Sequence, residues 1–526
     1  MRKVFVVSSA AVLIFILAVS VFWTPILWTL LVVIPLISVG VSDMLQTQQT
    51  IKRNYPLVGR GRYIMEDLRP KIYQYFVESD INGRPFNRVN RSVVYQRAKR
   101  DLDTTPFGTQ LDVYEVGYEW LNHSLNPLHL EDLDNHPRVS IGSGCAKPYS
   151  ASLLNISAMS FGSLSANAVL ALNGGARIGG FAHNTGEGGL SPYHLQPGGD
   201  LVWQIGTGYF GCRTLAGEFD EEMFKSNASH ESVRMIEVKL SQGAKPGHGG
   251  ILPAVKNTPE IAKIRGVEPH TKVLSPPAHS AFSTPRGLLE FVARLREASG
   301  GKPVGFKLCV GRPVDFIAIC KAMIASGIAP DYITVDGGEG GTGAAPLEFS
   351  NAVGTPLKEG LVFVDDMLRG FGLRDKIKIC ASGKIVTGFD IVRTLALGAD
   401  YCNSARGMML ALGCIQALEC NSNSCPTGIT THNPQLTVGL VPKEKEQRVA
   451  HFHHETVESA VELLAAAGVK TPDAVNRSQI LRRISYTDIR NFEELYPTVP
   501  TGALLTRDCP PNFQLMLDSA SPDHFA

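Results

Sequence analysis

From about residue 150 to about residue 440 one pattern repeats. A short apolar, β-rich run ends in a Gly-, Ser- or Asn-rich loop, and a helix-like stretch follows. The runs are Leu153–Met159, Gly208–Arg213, Met235–Leu240, Val304–Leu308, Tyr332–Val335, Ile377–Ala381 and Tyr401–Asn403. Between them lie helix-like stretches such as Pro285–Ser299, Val314–Ser326 and Gly388–Leu397. Strands that alternate with helices argue for a parallel sheet. Seven or eight of them over roughly 280 residues predict an α/β chain closed as a (β/α)8 TIM barrel. A doubly wound sheet is the alternative, but no Gly-x-Gly-x-x-Gly follows a strand and opens a helix. In a barrel the polar punctuation at the strand ends marks the C-terminal face, where binding loops collect.

The first 44 residues differ from everything after them. No Lys, Arg, Asp, Glu or His occurs between Val4 and Val41, and only Trp23–Thr24–Pro25 interrupts the apolar run. Val4–Trp23 is long enough to cross a bilayer, and Pro25–Val41 is near the lower limit. The run is too long for the apolar region of a signal peptide. Residues 1–44 therefore read as a transmembrane hairpin, with a single anchor as the alternative. Arg2 and Lys3 precede it, and residues 51–100 carry twelve Lys or Arg against four acidic residues. Both flanks thus read as cytoplasmic, which places the chain in the cell membrane with its catalytic part in the cytoplasm. The basic stretch is either an ordinary solvated face or a contact with anionic lipid. Residues 45–149 read as a basic linker or subdomain, 150–445 as the barrel, and 446–526 as a helical and then Pro-rich tail. The formal net charge is only +1, which argues against nucleic acid as a partner.

Several loops at the strand ends carry chemistry. Ala381-Ser382-Gly383-Lys384 and Asn403-Ser404-Ala405-Arg406-Gly407 follow the last two strands, where barrels commonly bind phosphate on Gly-rich backbone N–H groups. Glu187, Lys239, Gln242 and Lys245 fall on Gly-flanked loops or strand ends, where they could hold a dicarboxylate and manage a proton. Cys414, Cys420 and Cys425, with Pro426 after the third, have a spacing suited to iron–sulfur ligation. Zinc normally takes four ligands, and no fourth Cys lies nearby. Three thiolates suit a three-iron cluster, with His432 a conceivable fourth ligand. The other seven cysteines read as small buried hydrophobes.

Together these motifs resemble the FMN-binding synthase domain of the glutamate synthase large subunit, in its short, archaeal-type form. The resemblance rests on Met-Ser-Phe-Gly-Ser (159–163), Asn-Thr-Gly-Glu-Gly-Gly (184–189) and Lys-x-x-Gln-Gly-Ala-Lys-Pro-Gly (239–247). Ser-Pro-Pro-x-His (275–279), Asp-Gly-Gly-x-Gly-Gly-Thr-Gly (336–343) and Cys-x5-Cys-x4-Cys-Pro (414–426) complete it. It implies FMN at the top of the barrel and a [3Fe-4S] cluster on Cys414, Cys420 and Cys425. Ser157, Met159, Ser160 and Gly162 would lie along the flavin, with Lys307 near its pyrimidine edge. Gly337 and Gly338 would join the cofactor site, and Ser382, Gly383, Lys384, Ser404, Ala405 and Arg406 would form the phosphate loops. Glu187, Lys239 and Gln242 would line the 2-oxoglutarate or 2-iminoglutarate pocket as the catalytic set. The implied reaction is reductive amination of 2-oxoglutarate by ammonia and reduced FMN to give L-glutamate, by an oxidoreductase acting on CH–NH2 donors.

There are departures from that family pattern. No glutaminase domain and no glycine-repeat β-helix are expected here, so ammonia would come free or from a separate glutaminase subunit. No pyridine-nucleotide fold is visible, so electrons would arrive from a ferredoxin, a reductase subunit or a quinone-linked protein. Ala-Ser-Gly-Lys stands where the large subunits tend to have Asp-Gly-Gly, and His248 stands where Glu is expected. Two other readings follow: an amino-acid or N-alkyl-glutamate dehydrogenase running oxidatively, and a non-catalytic electron-transfer subunit.

Overall fold

A computed structural model describes residues 1–101, 104–506, 509 and 511–526. The chain divides into two compact units, Met1–Arg88 and Val89–Ala526.

In the first unit, helix α1 (Arg2–Ser20) and helix α2 (Leu30–Leu45) are joined by a 3-10 turn over Thr24–Thr29, with Pro25 near its start. Both spans, Arg2–Ser20 and Thr24–Leu45, are long and apolar enough to cross a membrane, with mean hydropathies of 2.3 and 2.2. Gly40 lies against the Phe5 ring, and a side chain there would run into it. Past α2, the buried Asp43 accepts Arg60 at 2.8 Å and the Leu57 N–H at 3.1 Å. That ion pair fixes the start of helix α3 (Arg60–Ile72) beside the end of α2.

The second unit is built on a closed barrel of eight parallel strands. They are β1 (Leu154–Ile156), β2 (His183–Asn184), β3 (Leu201–Ile205), β4 (Val233–Lys239), β5 (Val304–Leu308), β6 (Tyr332–Asp336), β7 (Lys378–Ser382) and β8 (Tyr401–Ser404). They pair in sequence order, and β8 closes on β1. The expected TIM barrel is therefore present. One predicted strand is wrong: Gly208–Arg213 forms a loop, and the strand is Leu201–Ile205 just before it. Gly206 and Gly208 follow the strand rather than precede it, and Tyr209 and Gly211 take left-handed backbone (φ 48° and 87°), which no strand tolerates.

The barrel interior is filled in two ways. At its lower end a hairpin of Arg138–Ile141 and Tyr149–Ser152 plugs the opening, and Ile141, Tyr149 and Ala151 pack on Val202, Met235, Tyr332 and Tyr401. Higher up the filling is polar. The buried Glu237 carboxylate accepts Asn184 Nδ2 at 2.7 Å, Gln204 Nε2 at 2.7 Å and Thr334 Oγ1 at 2.6 Å. Outside the barrel, helix α4 (Pro442–Ala466) lies against the helix Ala166–Gly179, where Gly174 and Gly175 leave room for Glu446 and Val449. A strand from before the barrel, Glu119–Leu121, pairs with Ile480–Arg483 from after it. Glu119 binds Lys358, Arg393 and Arg482 there.

Replacing Glu237 with Leu strands three buried donors at once. The expected loss is about 3–5 kcal/mol of stability, read as a lower denaturation midpoint of the detergent-solubilised protein.

Candidate active site

The strand ends converge on the C-terminal face. Lys239 ends β4, and its Nζ lies 3.0 Å from Glu187 Oε2, with side-chain exposures of 8% and 18%. Glu187 comes from the loop after β2, which packs against the backbone of Met159 and Ser160 at Gly186. Burial raises the Glu187 carboxyl, but Lys239, Lys245 and Arg265 together bring it below its ordinary value. The pair opens into a cleft of about 270 Å³, whose twelve lining residues include Thr207, Gln242, His248, Pro276 and Pro277. Glu187 is the one acidic residue in that lining. The sequence-based set Glu187, Lys239 and Gln242 is thus brought together.

Two further cations stand nearby, Lys245, which the sequence grouped with Glu187, Lys239 and Gln242, and Arg265, which it did not. Burial lowers the Lys245 ammonium to about 8, and its Nζ donates to the Ala344 carbonyl at 2.6 Å. Burial lowers Arg265 to about 10; its Nη2 reaches the Phe161 carbonyl at 3.2 Å, and its Nε has no partner. His279 anchors the floor, with Nδ1 3.0 Å from Tyr209 Oη and Nε2 2.9 Å from the Lys239 carbonyl. Burial lowers it to about 4, so it is neutral at physiological pH. His248 Nδ1 lies 2.9 Å from the Gly249 carbonyl, and its ring meets Phe349 edge-on.

Beside the cleft, Lys307 on β5 pairs with Asp336 on β6 at 3.2 Å. Burial works against its charge, but Asp336 and Glu237 raise Lys307 above its ordinary value. The same Asp336 oxygen, Oδ2, also accepts the Gly243 N–H at 2.8 Å. Gly243 itself lies against the Gly337 carbonyl, and a Cβ there would collide with it. Ser157 Oγ, just past β1, and Ser382 Oγ, at the end of β7, face each other at 3.4 Å with β8 between their strands. Gly337 and Gly338 donate to Ser382 O and Thr355 O. Ser404 Oγ donates to Ile385 O at 2.6 Å, and Arg406 Nη2 to Glu339 O at 2.7 Å. Lys384 takes left-handed backbone (φ 54°) between Gly383 and Ile385. Gly341 lies against the Arg406 side chain, and Gly383 against Leu357. The expected flavin and phosphate residues, Ala405 included, thus line neighbouring strand ends.

The loop after β8 holds Cys414, Cys420 and Cys425, all unbridged. Gln416, Leu418 and Asn423 take left-handed backbone within it, so the segment winds tightly. The Gln416 N–H points at Cys414 Sγ (3.4 Å), and Thr427 Oγ1 lies 3.3 Å from Cys425 Sγ. Burial raises Cys414 to about 11; burial also opposes a Cys425 thiolate, yet hydrogen bonds from Thr427 and Thr430 bring it below its usual value. Lys256, 2% exposed, donates to the Ser163 and Cys420 carbonyls. His432 Nε2 donates to the Gly162 carbonyl (2.8 Å), which commits one of its two ring nitrogens. Ser165 donates to Gly428 O and Ile429 O. The Met159–Ser163 loop and the cysteine loop are therefore fastened together. Reading the sequence missed Lys256 and Arg265, because the Lys-Asn-Thr-Pro-Glu-Ile-Ala-Lys-Ile-Arg stretch has the charge pattern of a solvated helix.

Because the folded Glu187 titrates below its unfolded value, its stabilising contribution is full above that value and is lost as pH falls through the folded one. Lys239→Met removes its nearest cation. The variant is expected to unfold at lower temperature near neutrality, with the gap to wild type narrowing at acid pH as the carboxyl protonates. Thermal scans across pH check this; a gap independent of pH would show the pair carries no charge.

Residues 120–470 match the family model described as a conserved region in glutamate synthase. The glutamate synthase large subunit-like protein YerD of Bacillus subtilis is 38% identical over 495 residues, covering 86% of this chain and 94% of that protein. The archaeal glutamate synthase (NADPH) of Methanocaldococcus jannaschii is 36% identical over 62% of this chain and 61% of its own length. An archaeal-type glutamate synthase (NADPH) of Thermotoga maritima is 33% identical over 62% of each. This chain thus spans about three fifths of those two relatives. Among solved structures, mandelate oxidase with (S)-2-phenylpropionate aligns with a TM-score of 0.42 at 14% identity, covering 79% of this chain and 96% of its own.

Proposed function

Since this chain belongs to the glutamate synthase family, we propose that it is a membrane-anchored oxidoreductase that makes L-glutamate from 2-oxoglutarate and ammonia supplied from outside the chain. The observation that carries this reading is charge. Lys239, Lys245 and Arg265 act on the single carboxylate of Glu187, leaving a surplus of two positive charges. A buried surplus of two is compensated by a dianion, which matches a dicarboxylate substrate. An electron-transfer subunit without substrate has no need of it.

The residues present also fit the two cofactors of this reading. The collisions that side chains would meet at Gly337, Gly341 and Gly383 keep the strand-end loops small, and Lys384 and Arg406 bring positive charge for a phosphate. Lys307, held charged by Asp336, suits the electron-rich edge of a flavin. Three unbridged cysteines on one tightly wound loop, with the Lys256 cation acting on Cys420 and Cys425, suit an anionic three-iron cluster. When bound, FMN supplies hydride chemistry and the cluster supplies single-electron relay.

The protein's own part is positioning and proton handling. Lys239 holds a substrate carboxylate, Gln242 offers an amide at the cleft wall, and the buried Arg265 adds positive charge beside Glu187. Condensation of ammonia with the keto group, through 2-iminoglutarate, releases water and needs proton transfers at nitrogen and oxygen. Lys245, titrating at about 8, is placed to give a proton to the departing oxygen, and Glu187 to take one from nitrogen. His279, neutral and doubly bonded, fixes the Lys239 backbone. Electrons come from a separate donor protein, and the apolar hairpin is the anchor.

The test is a 2-oxoglutarate titration of detergent-purified protein, followed by the flavin spectrum. Wild type is expected to respond. Lys239→Met is expected to bind about 30- to 1,000-fold more weakly, the roughly 2–4 kcal/mol of a buried charge pair broken on one side. Flavin that does not respond to 2-oxoglutarate overturns the substrate. In parallel, Cys420→Ser is expected to abolish the oxidised three-iron EPR signal while the flavin absorbance stays.

A further inference from the structure

Helix α3 has an exposed apolar face with basic edges. At about 100° per residue, Ile64, Met65, Leu68 and Ile72 fall in a stripe roughly 100° wide. All four are exposed, Met65 at 62%. A π-type turn over Tyr73–Val77 prolongs the helix with Tyr75 and Phe76, the latter 85% exposed. Arg60 and Lys71 lie along one edge of the stripe, and Arg62 and Arg69 along the other. Of the acidic residues of the helix, Glu66 falls near the opposite pole and Asp67 beside the Arg60–Lys71 edge. Five large apolar side chains and a tyrosine in water would be costly, and their arrangement is ordered rather than scattered.

The chain itself says what covers this face. Fourteen residues separate the end of α2 from Arg60. The Asp43–Arg60 bond at 2.8 Å then holds the first residue of α3 at the end of the second apolar span. A helix starting there begins at the depth where acyl chains give way to headgroups. Basic residues on both sides of an apolar stripe, four against the one acid beside them, are what an anionic lipid surface selects. We propose that α3 and the turn after it lie in the plane of the membrane, with the Ile64–Phe76 face sunk among the acyl chains and Arg62, Arg69 and Lys71 on anionic headgroups. This rests on the hairpin being a membrane anchor. It adds a second contact whose strength depends on lipid charge, where the hairpin's does not.

The test uses the full chain in nanodiscs of phosphatidylcholine with phosphatidylglycerol. p-Benzoylphenylalanine replaces Val32 in the hairpin, Met65 on the apolar stripe, or Glu66 near the opposite pole, each in a separate variant. After irradiation, intact-mass analysis counts phospholipid adducts. Adducts at Val32 and Met65, with at least fivefold fewer at Glu66, are expected. At Met65 the yield should fall at least threefold in pure phosphatidylcholine, while at Val32 it holds. Adducts at Val32 with none at Met65, or Met65 crosslinks to a second copy of the chain, overturn the proposal and leave the hairpin standing. An equal Met65 yield in both lipids overturns the role of the basic edges, and adducts at neither position overturn the anchor as well.

Discussion

The structure depends on how a closed barrel fills its own interior. Eight parallel strands leave no edge, so every inward side chain must find its partner inside. The lower half solves this with apolar contacts and a hairpin plug. The upper half solves it with a carboxylate. Glu237 takes three neutral donors from three strands, Asn184, Gln204 and Thr334. Its charge also helps to hold Lys307 protonated one level higher. The polar layer is thus more than filling: it sets the electrostatics of the groups at the mouth.

From that layer upward, each polar contact joins two loops. Asp336 binds Lys307 and also the Gly243 N–H, so the lysine on β5 and the loop after β4 share one anchor. Lys256, His432 and Ser165 do the same between the Met159–Ser163 loop and the cysteine loop. The candidate substrate cleft, the candidate flavin residues and the cysteines therefore form one bonded assembly. In the proposed function that assembly would keep the distances between donor, cofactor and substrate fixed.

Much of this was legible because it is local. Val304–Leu308 is a strand as read, and the glycine loops at 337–343 and 382–384 fall at strand ends as their spacing implied. Two strands were not. His183–Asn184 is too short to show a pattern, and Leu201–Ile205 was displaced by the aromatic run after it. The cleft was half legible. Glu187, Lys239 and Gln242 stand next to glycines that advertise a loop, whereas Arg265 ends a short amphipathic helix and turns inward. Nothing in one sequence separates an inward arginine from a solvated one; that is decided by the fold.

More than half of the cleft wall comes from one segment. Leu240, Ser241, Gln242, Gly247, His248, Gly249 and Gly250 make up seven of its twelve residues. The barrel ladder ends at Lys239, before that segment begins. Gly243 and Gly249 are held small by the Gly337 and Ser275 carbonyls, whereas Gln242 and His248 can change without touching a barrel pairing. In the proposed function, substrate preference would then rest on a few positions set between glycines that the fold itself requires. His248, where a glutamate was expected, is one of those positions.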